Sequence, residues 1–72
     1  MQEELLEKAK EEFRDLRLGW RNKLEFSKGY PEYEYVYELS KDILERIGFK
    51  RTEEKEFGYT LVIIEKENKN EL

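Results

Sequence analysis

The chain contains neither cysteine nor histidine among its 72 residues. Without cysteine it forms no disulfide and offers no thiolate for catalysis or metal binding. Without histidine it lacks the commonest general base and the commonest ligand for transition metals. The composition therefore predicts a protein that is not an enzyme, and no catalytic, cofactor-binding or metal-binding residue is predicted anywhere in the chain.

Long apolar runs are also missing. The longest, Leu61–Ile64, is far shorter than the roughly 20 residues that cross a membrane as a helix. The first residues, Met1–Glu4, show no basic or apolar region typical of a secretory signal, so we expect a cytoplasmic protein without membrane contact. High Glu and Lys content, with no cysteine or histidine, is typical of a protein from a thermophile or its virus.

The aromatic content points to a folded chain rather than a disordered one. Although 44% of the residues are charged, 14% are aromatic, and disordered segments of similar charge are poor in aromatic side chains. We expect one small domain over residues 1–67, with residues 68–72 as a frayed tail.

Hydrophobic periodicity predicts two amphipathic helices. The first covers about Glu3–Leu18 and stops at Gly19, and the second covers about Pro31–Ile47 and stops at Gly48. In both, apolar residues recur at three- and four-residue spacing, which places them on one side of the helix. Each helix therefore has one face to bury.

Three other segments have the composition of β-strands. Asn22–Ser27 alternates apolar and polar residues, and Phe49–Glu53 with Phe57–Glu65 predicts a hairpin that turns at Glu54–Glu56. The turn lacks the Asn-Gly or Asp-Gly pair that would define its register. The predicted fold class is α+β, with two helices packed on a small antiparallel sheet, in the order α-(β)-α-β-β with a C-terminal β-hairpin.

The last strand is apolar on both faces. Val62 and Ile64 alternate with Leu61 and Ile63, so the two pairs point to opposite sides of the sheet. Two helices can cover only one face of so small a sheet. With Val62 and Ile64 on the uncovered face, the sequence predicts a homodimer or higher oligomer that buries them through the C-terminal strand.

The second helix carries two candidate contact residues. Tyr35 lies off its apolar stripe and Leu39 lies at the border, four residues away, so the two can form one exposed patch. Aromatic residues are enriched at protein interfaces, which makes the patch a candidate contact with a protein partner. A scattered surface aromatic residue is the alternative. Trp20 is predicted to be a core or lid residue, with a stacking platform as the alternative.

Cations cluster in two parts of the chain although the formal net charge is −4. If the two clusters meet in space near Trp20, they form a modest phosphate-binding face. A solvated surface that balances the acidic segments is the alternative, and an isoelectric point near 5.0 argues against strong non-specific nucleic-acid binding. The candidate residues are Arg14, Arg17, Arg21, Lys23, Lys50 and Arg51.

The stretch Glu38–Thr52, followed by Gly58–Lys66, resembles the last helix and wing of a winged-helix regulator. The shared features are an amphipathic helix, a glycine, an aromatic residue, a basic pair and a hairpin. The resemblance implies nucleic-acid binding through that helix, which here carries the acids Glu32, Glu34, Glu38 and Asp42. The same stretch is similar to the closing helix and strands of acetyltransferases, a domain too long for this chain.

Two functions follow from these patterns. The first is a small non-catalytic regulator, accessory protein or inhibitor that occupies a surface on a protein partner and is itself homodimeric. The alternative is a winged-helix-like nucleic-acid-binding regulator. A continuous basic face would favour nucleic acid, whereas a mixed surface with Tyr35 exposed would favour a protein partner.

Overall fold

A computed structural model describes residues 2–67 of the chain. It confirms the α+β class and the predicted order of elements, α-β-α-β-β. The elements are helix α1 (Gln2–Arg17), strand β1 (Lys23–Ser27), helix α2 (Pro31–Arg46), strand β2 (Phe49–Glu56) and strand β3 (Tyr59–Lys66). The tail predicted for residues 68–72 lies outside the described residues.

Both ends of α2 have clear local causes. Pro31 occupies the first turn, where a missing N–H costs nothing and the fixed φ suits a helix. The carbonyl of Tyr30 accepts hydrogen bonds from the backbone N–H groups of Tyr33 and Glu34, at 3.1 and 3.3 Å. Beyond the other end, Gly48 has φ +99°, a left-handed conformation that glycine adopts without steric cost.

The three strands form one antiparallel sheet in the order β1-β3-β2, so β3 is the central strand. The short strand predicted within Asn22–Ser27 is confirmed at Lys23–Ser27. In the register, Leu24 lies opposite Ile64 and Phe26 lies opposite Val62. These four side chains therefore share one face of the sheet.

The hairpin turns later than the sequence predicts. Glu56 pairs with Tyr59, so Phe57 and Gly58 form the loop, and the turn predicted at Glu54–Glu56 is wrong. Gly58 has φ +79°, and it supplies the left-handed residue that so short a loop needs. The charged run before it is strand because it pairs along its whole length with β3.

The helices cover the opposite face of β3 from the one expected. Val62 and Ile64 are 0% and 1% exposed, and they lie in the core with residues of both helices. The prediction that a partner must cover these two residues is therefore wrong, because the chain covers them itself. Leu61 and Ile63 point to the other face, where Ile63 lies between Glu25 and Thr52 of the neighbouring strands.

Three aromatic rings hold the helices against β1. The ring of Phe13 in α1 lies 6.3 Å from those of Phe26 and Tyr33, and Phe26 stacks on Tyr33 at 4.9 Å between centroids. Such pairs contribute about 0.5–1.5 kcal/mol beyond the area they bury. Because the three rings come from α1, β1 and α2, the cluster fixes the helices relative to each other and to the sheet.

Candidate interaction surfaces

Three large apolar side chains form an exposed line on α2, which we name the α2 row: Tyr35, Leu39 and Ile43. They follow one another at four-residue spacing and are 56%, 63% and 42% exposed. The exposure of Tyr35 and Leu39 agrees with their predicted position off the apolar stripe. Ile43 lies at the edge of the buried face of α2, and its four-residue spacing from Leu39 links it to the row.

The core of the chain is complete without the α2 row. Val36, Ser40 and Leu44 are the buried residues of α2, and Tyr37 is half-buried beside them. Val36 and Leu44 belong to the core cluster together with Val62 and Ile64 of β3, and Tyr37 packs against that cluster. The packing of the fold therefore does not require the side chains of the α2 row.

An open groove runs between the two helices, and we name it the helix groove. It encloses about 870 Å³, and Phe13 contributes to its lining. Charged side chains of α1 line it along the length of that helix, while α2 contributes Val36, Leu39 and Ser40. Leu39 thus belongs to the α2 row and to the helix groove, which makes the two one continuous surface.

A charged network occupies the other side of α2, where that helix meets β2. Arg51 Nη2 donates to both carboxylate oxygens of Glu34, at 2.9 and 3.1 Å, and Arg51 Nη1 donates to Glu53 at 2.8 Å. The guanidinium carbon also lies 5.1 Å from the centre of the Tyr37 ring, a cation–π contact. Lys28 completes the network, 3.1 Å from Glu53.

Contacts within the network shift the pKa values of Arg51 and Glu53 in the directions that keep both residues charged. Burial disfavours the guanidinium cation, but Glu34 and Glu53 outweigh burial and raise the pKa of Arg51. Hydrogen bonds from Lys28 and Arg51 lower the pKa of the Glu53 carboxyl. Burial raises the pKa of the Tyr37 hydroxyl, which stays neutral beneath the cation. The network is therefore a structural clamp between α2 and β2.

The basic pair predicted at positions 50 and 51 is divided between the two faces of the sheet. Arg51 lies opposite Ile64 on the helix-facing side, whereas Lys50 lies opposite Glu65 on the outer side. Lys50 is 3.8 Å from Glu67. The pair therefore forms no single basic spot, because alternation along the strand separates neighbouring side chains.

The cations around the end of α1 are mostly paired with nearby acids. Arg21 donates to Glu12 and lies 3.9 Å from Asp15, and Arg14 lies 3.7 Å from the same aspartate. Arg17 makes no ion pair within the part of the chain that the structure describes. Arg14 and Arg17 line the helix groove, while Arg21 lies in the segment that follows the helix.

Lys23 and Trp20 complete the set of candidates for a phosphate-binding face. Lys23 lies 3.0 Å from Glu25 and opposite Glu65, on the outer face of β1. Hydrogen bonding and charge from Glu25 raise its pKa. Trp20 is 80% exposed, so its prediction as a core or lid residue is wrong; it follows Gly19, whose φ of +80° turns the chain out of the helix. The six candidate cations are thus spread over a helix, a loop and both faces of the sheet.

Comparison of the chain with protein-family models, with curated proteins and with solved structures finds no match. Between residues 2 and 67, no three side chains of the metal-ligating types come together in a group that can hold a metal ion. No helix in that range is long and apolar enough to cross a membrane.

Proposed function

We propose that the chain is a small, non-catalytic, cytoplasmic protein that acts by occupying a surface of a protein partner, as a regulator, accessory subunit or inhibitor. The α2 row is the observation that supports this proposal most. Contiguous exposed apolar side chains with a polar surround mark interaction sites more often than isolated ones do. The core is complete without these residues, and contact with a protein partner would remove them from water.

Tyr35 gives the most direct test of the α2 row. Tyr35→Ala should leave the free energy of unfolding within about 0.5 kcal/mol, because the ring is largely exposed. If the ring is a hot spot, the binding free energy for the partner should weaken by about 2 kcal/mol or more. Denaturant unfolding measures the first quantity. The second is measured by titrating the purified variant with the partner, once the wild-type chain has captured it from its source organism.

Phe57→Ala is the matched control for Tyr35→Ala. Phe57 is also an exposed aromatic residue, but it lies in the β2–β3 loop, outside α2. Its truncation should change neither stability nor partner affinity. Equal loss of affinity in the two variants, or full affinity in a Tyr35→Ala, Leu39→Ala double variant, would contradict a role for the α2 row.

Nucleic-acid binding remains the second candidate, because α2 is followed directly by a hairpin, as the winged-helix resemblance implies. The charges of these two elements oppose it. The exposed side of α2 carries Glu38 and Asp42, and the hairpin end carries Glu54 and Glu56, all of which would face phosphate. Residues 2–67 also contain two helices, one fewer than that family has.

We therefore expect at most weak nucleic-acid binding, with a Kd in the micromolar range or higher at a salt concentration of about 0.15 M. Fluorescence anisotropy with labelled duplex and single-stranded DNA measures it. Arg14→Glu with Arg17→Glu is the informative variant, since Arg51 is held in the α2–β2 network. Nanomolar binding that this variant abolishes would establish the alternative in place of the protein partner.

A further inference from the structure

One line of charged side chains follows α1 along the helix groove, and we name it the α1 charge stripe. Its members succeed one another at alternating spacings of four and three residues, which places them on one side of the helix. All of them are exposed and line the helix groove. In order along α1 they are Glu3, Glu7, Lys10, Arg14 and Arg17.

The α1 charge stripe is divided by sign of charge, and its members make few ion pairs with other residues between 2 and 67. Within the stripe the acids lie in the first half of α1 and the cations in the second, whereas Glu4, Lys8 and Glu11 line the same groove outside the stripe. Lys10 lies 3.7 Å from Glu7, and Arg14 lies 3.7 Å from Asp15. Neither Glu3 nor Arg17, at the two ends, makes an ion pair with any of the residues from 2 to 67. The helix dipole favours this order of charges, but it leaves their outward sides free.

A stripe divided in this way is complementary to itself when turned by 180°. In a two-fold arrangement, Glu3 faces Arg17 of the second copy, and Glu7 faces Arg14 of the second copy. Lys10 then lies near the axis, where Glu7 of its own chain offsets its charge. Because a two-fold axis repeats every contact, two kinds of pair become four ion pairs along a helix about 24 Å long.

The apolar part of the helix groove supports the same arrangement. Leu39 is 63% exposed and lines the groove together with the stripe, so a second copy seated there removes it from water. A partner of one charge sign would meet like charges at one end of the stripe. A second copy meets opposite charges at both ends, which favours it over a partner of one charge sign.

We propose that the helix groove is the interface of a two-fold homodimer, in which the α1 charge stripes pair antiparallel and Leu39 is covered. The homodimer rests on the proposed function, in which the α2 row contacts a protein. It adds that a second copy of the chain is the protein that contacts Leu39. It places self-association on the helices, not on the C-terminal strand from which the sequence predicted it.

Two charge-reversed variants test the pairing. One carries Glu3→Lys and Glu7→Lys, and the other carries Arg14→Glu and Arg17→Glu. Sedimentation equilibrium at low salt should show a dimer for the wild-type chain and a dissociation constant raised about tenfold or more for each variant alone, because like charges then face each other. An equimolar mixture of the two variants should regain the mass of a dimer, because their reversed stripes are complementary.

The mixture separates pairing between chains from the helix dipole, since a role confined to one helix gives no recovery on mixing. Circular dichroism verifies that each variant is folded. A wild-type chain that stays monomeric at hundreds of micromolar, or folded variants that do not associate on mixing, would overturn the homodimer. If a reversed variant fails to fold, Leu39→Asp takes its place: it alters an exposed residue, and an unchanged dissociation constant would refute the interface.

The outcome for the homodimer is distinguishable from the outcome for the proposed function. A monomeric wild-type chain that still binds another protein, and loses it with Tyr35→Ala, would refute the dimer and leave the proposed function intact. Raising the salt concentration from about 0.05 M to about 0.5 M should also weaken a dimer held by the α1 charge stripe, since exposed ion pairs are screened. A dimer whose dissociation constant does not change with salt concentration would contradict the antiparallel pairing of the stripes.

Discussion

Ile64→Ala is expected to lower the free energy of unfolding by about 3 kcal/mol or more. Ile64 is 1% exposed in the central strand and lies opposite Leu24 in the core, so the truncation removes buried methyl and methylene groups and leaves a cavity. A small domain has a total stability of about 5 kcal/mol or a little more, so the variant should be close to unfolding. Urea unfolding followed by circular dichroism measures the loss.

Leu61→Ala provides the matched control on the same strand. Leu61 is only partly buried and points to the outer face of the sheet, opposite Ser27 and Glu54. Its truncation should cost about 1 kcal/mol, the centre of the range for ordinary substitutions. A loss at Leu61 that equals or exceeds the loss at Ile64 would mean that the helices cover the other face of β3.

Arg51→Ala is the second substitution with a large expected effect, a loss of about 2 kcal/mol in the free energy of unfolding. The change removes the hydrogen bonds to Glu34 and Glu53 and the contact with the Tyr37 ring. It also leaves Glu34, which is partly buried, without its counter-charge. Because the pair is not fully buried, we expect less than the 3–5 kcal/mol typical of a buried pair.

Lys50→Ala is the control for Arg51→Ala and should change stability by no more than about 0.5 kcal/mol, since Lys50 is exposed on the other face. A double-mutant cycle with Glu34→Ala isolates the contact itself. The two losses should be non-additive by about 1 kcal/mol, as expected for residues in one network. Additive losses, or equal losses at positions 50 and 51, would show that the α2–β2 network contributes little.

The helices and the first strand could be predicted because each has one apolar face. In α2, Val36, Ser40 and Leu44 recur at helical spacing, and the structure buries all three. In β1, Leu24 and Phe26 alternate with exposed residues, and the structure buries both. The same logic placed Tyr35 and Leu39 outside the core, because they fall away from the stripe that the buried residues define.

The orientation of β3 could not be predicted, because Val62 and Ile63 lie on opposite faces and are equally apolar. The register with Leu24 and Phe26 decides it, and pairing over so long a separation leaves no periodic signal. The α2–β2 network was missed for a similar reason: Arg51 and Glu34 are 17 positions apart in the chain. Contacts of this kind come from topology rather than from local pattern.

The order of the strands in the sheet has a consequence for folding during synthesis on the ribosome. Strands β1 and β2 each have β3 as their neighbour in the sheet, and β3 follows both in the chain. During synthesis, the apolar face of β1 therefore has no strand beside it until Tyr59–Lys66 has left the ribosome. The contacts that close the sheet span a large part of the chain, so cooperative folding should begin only after residues 59–66 have left the ribosome.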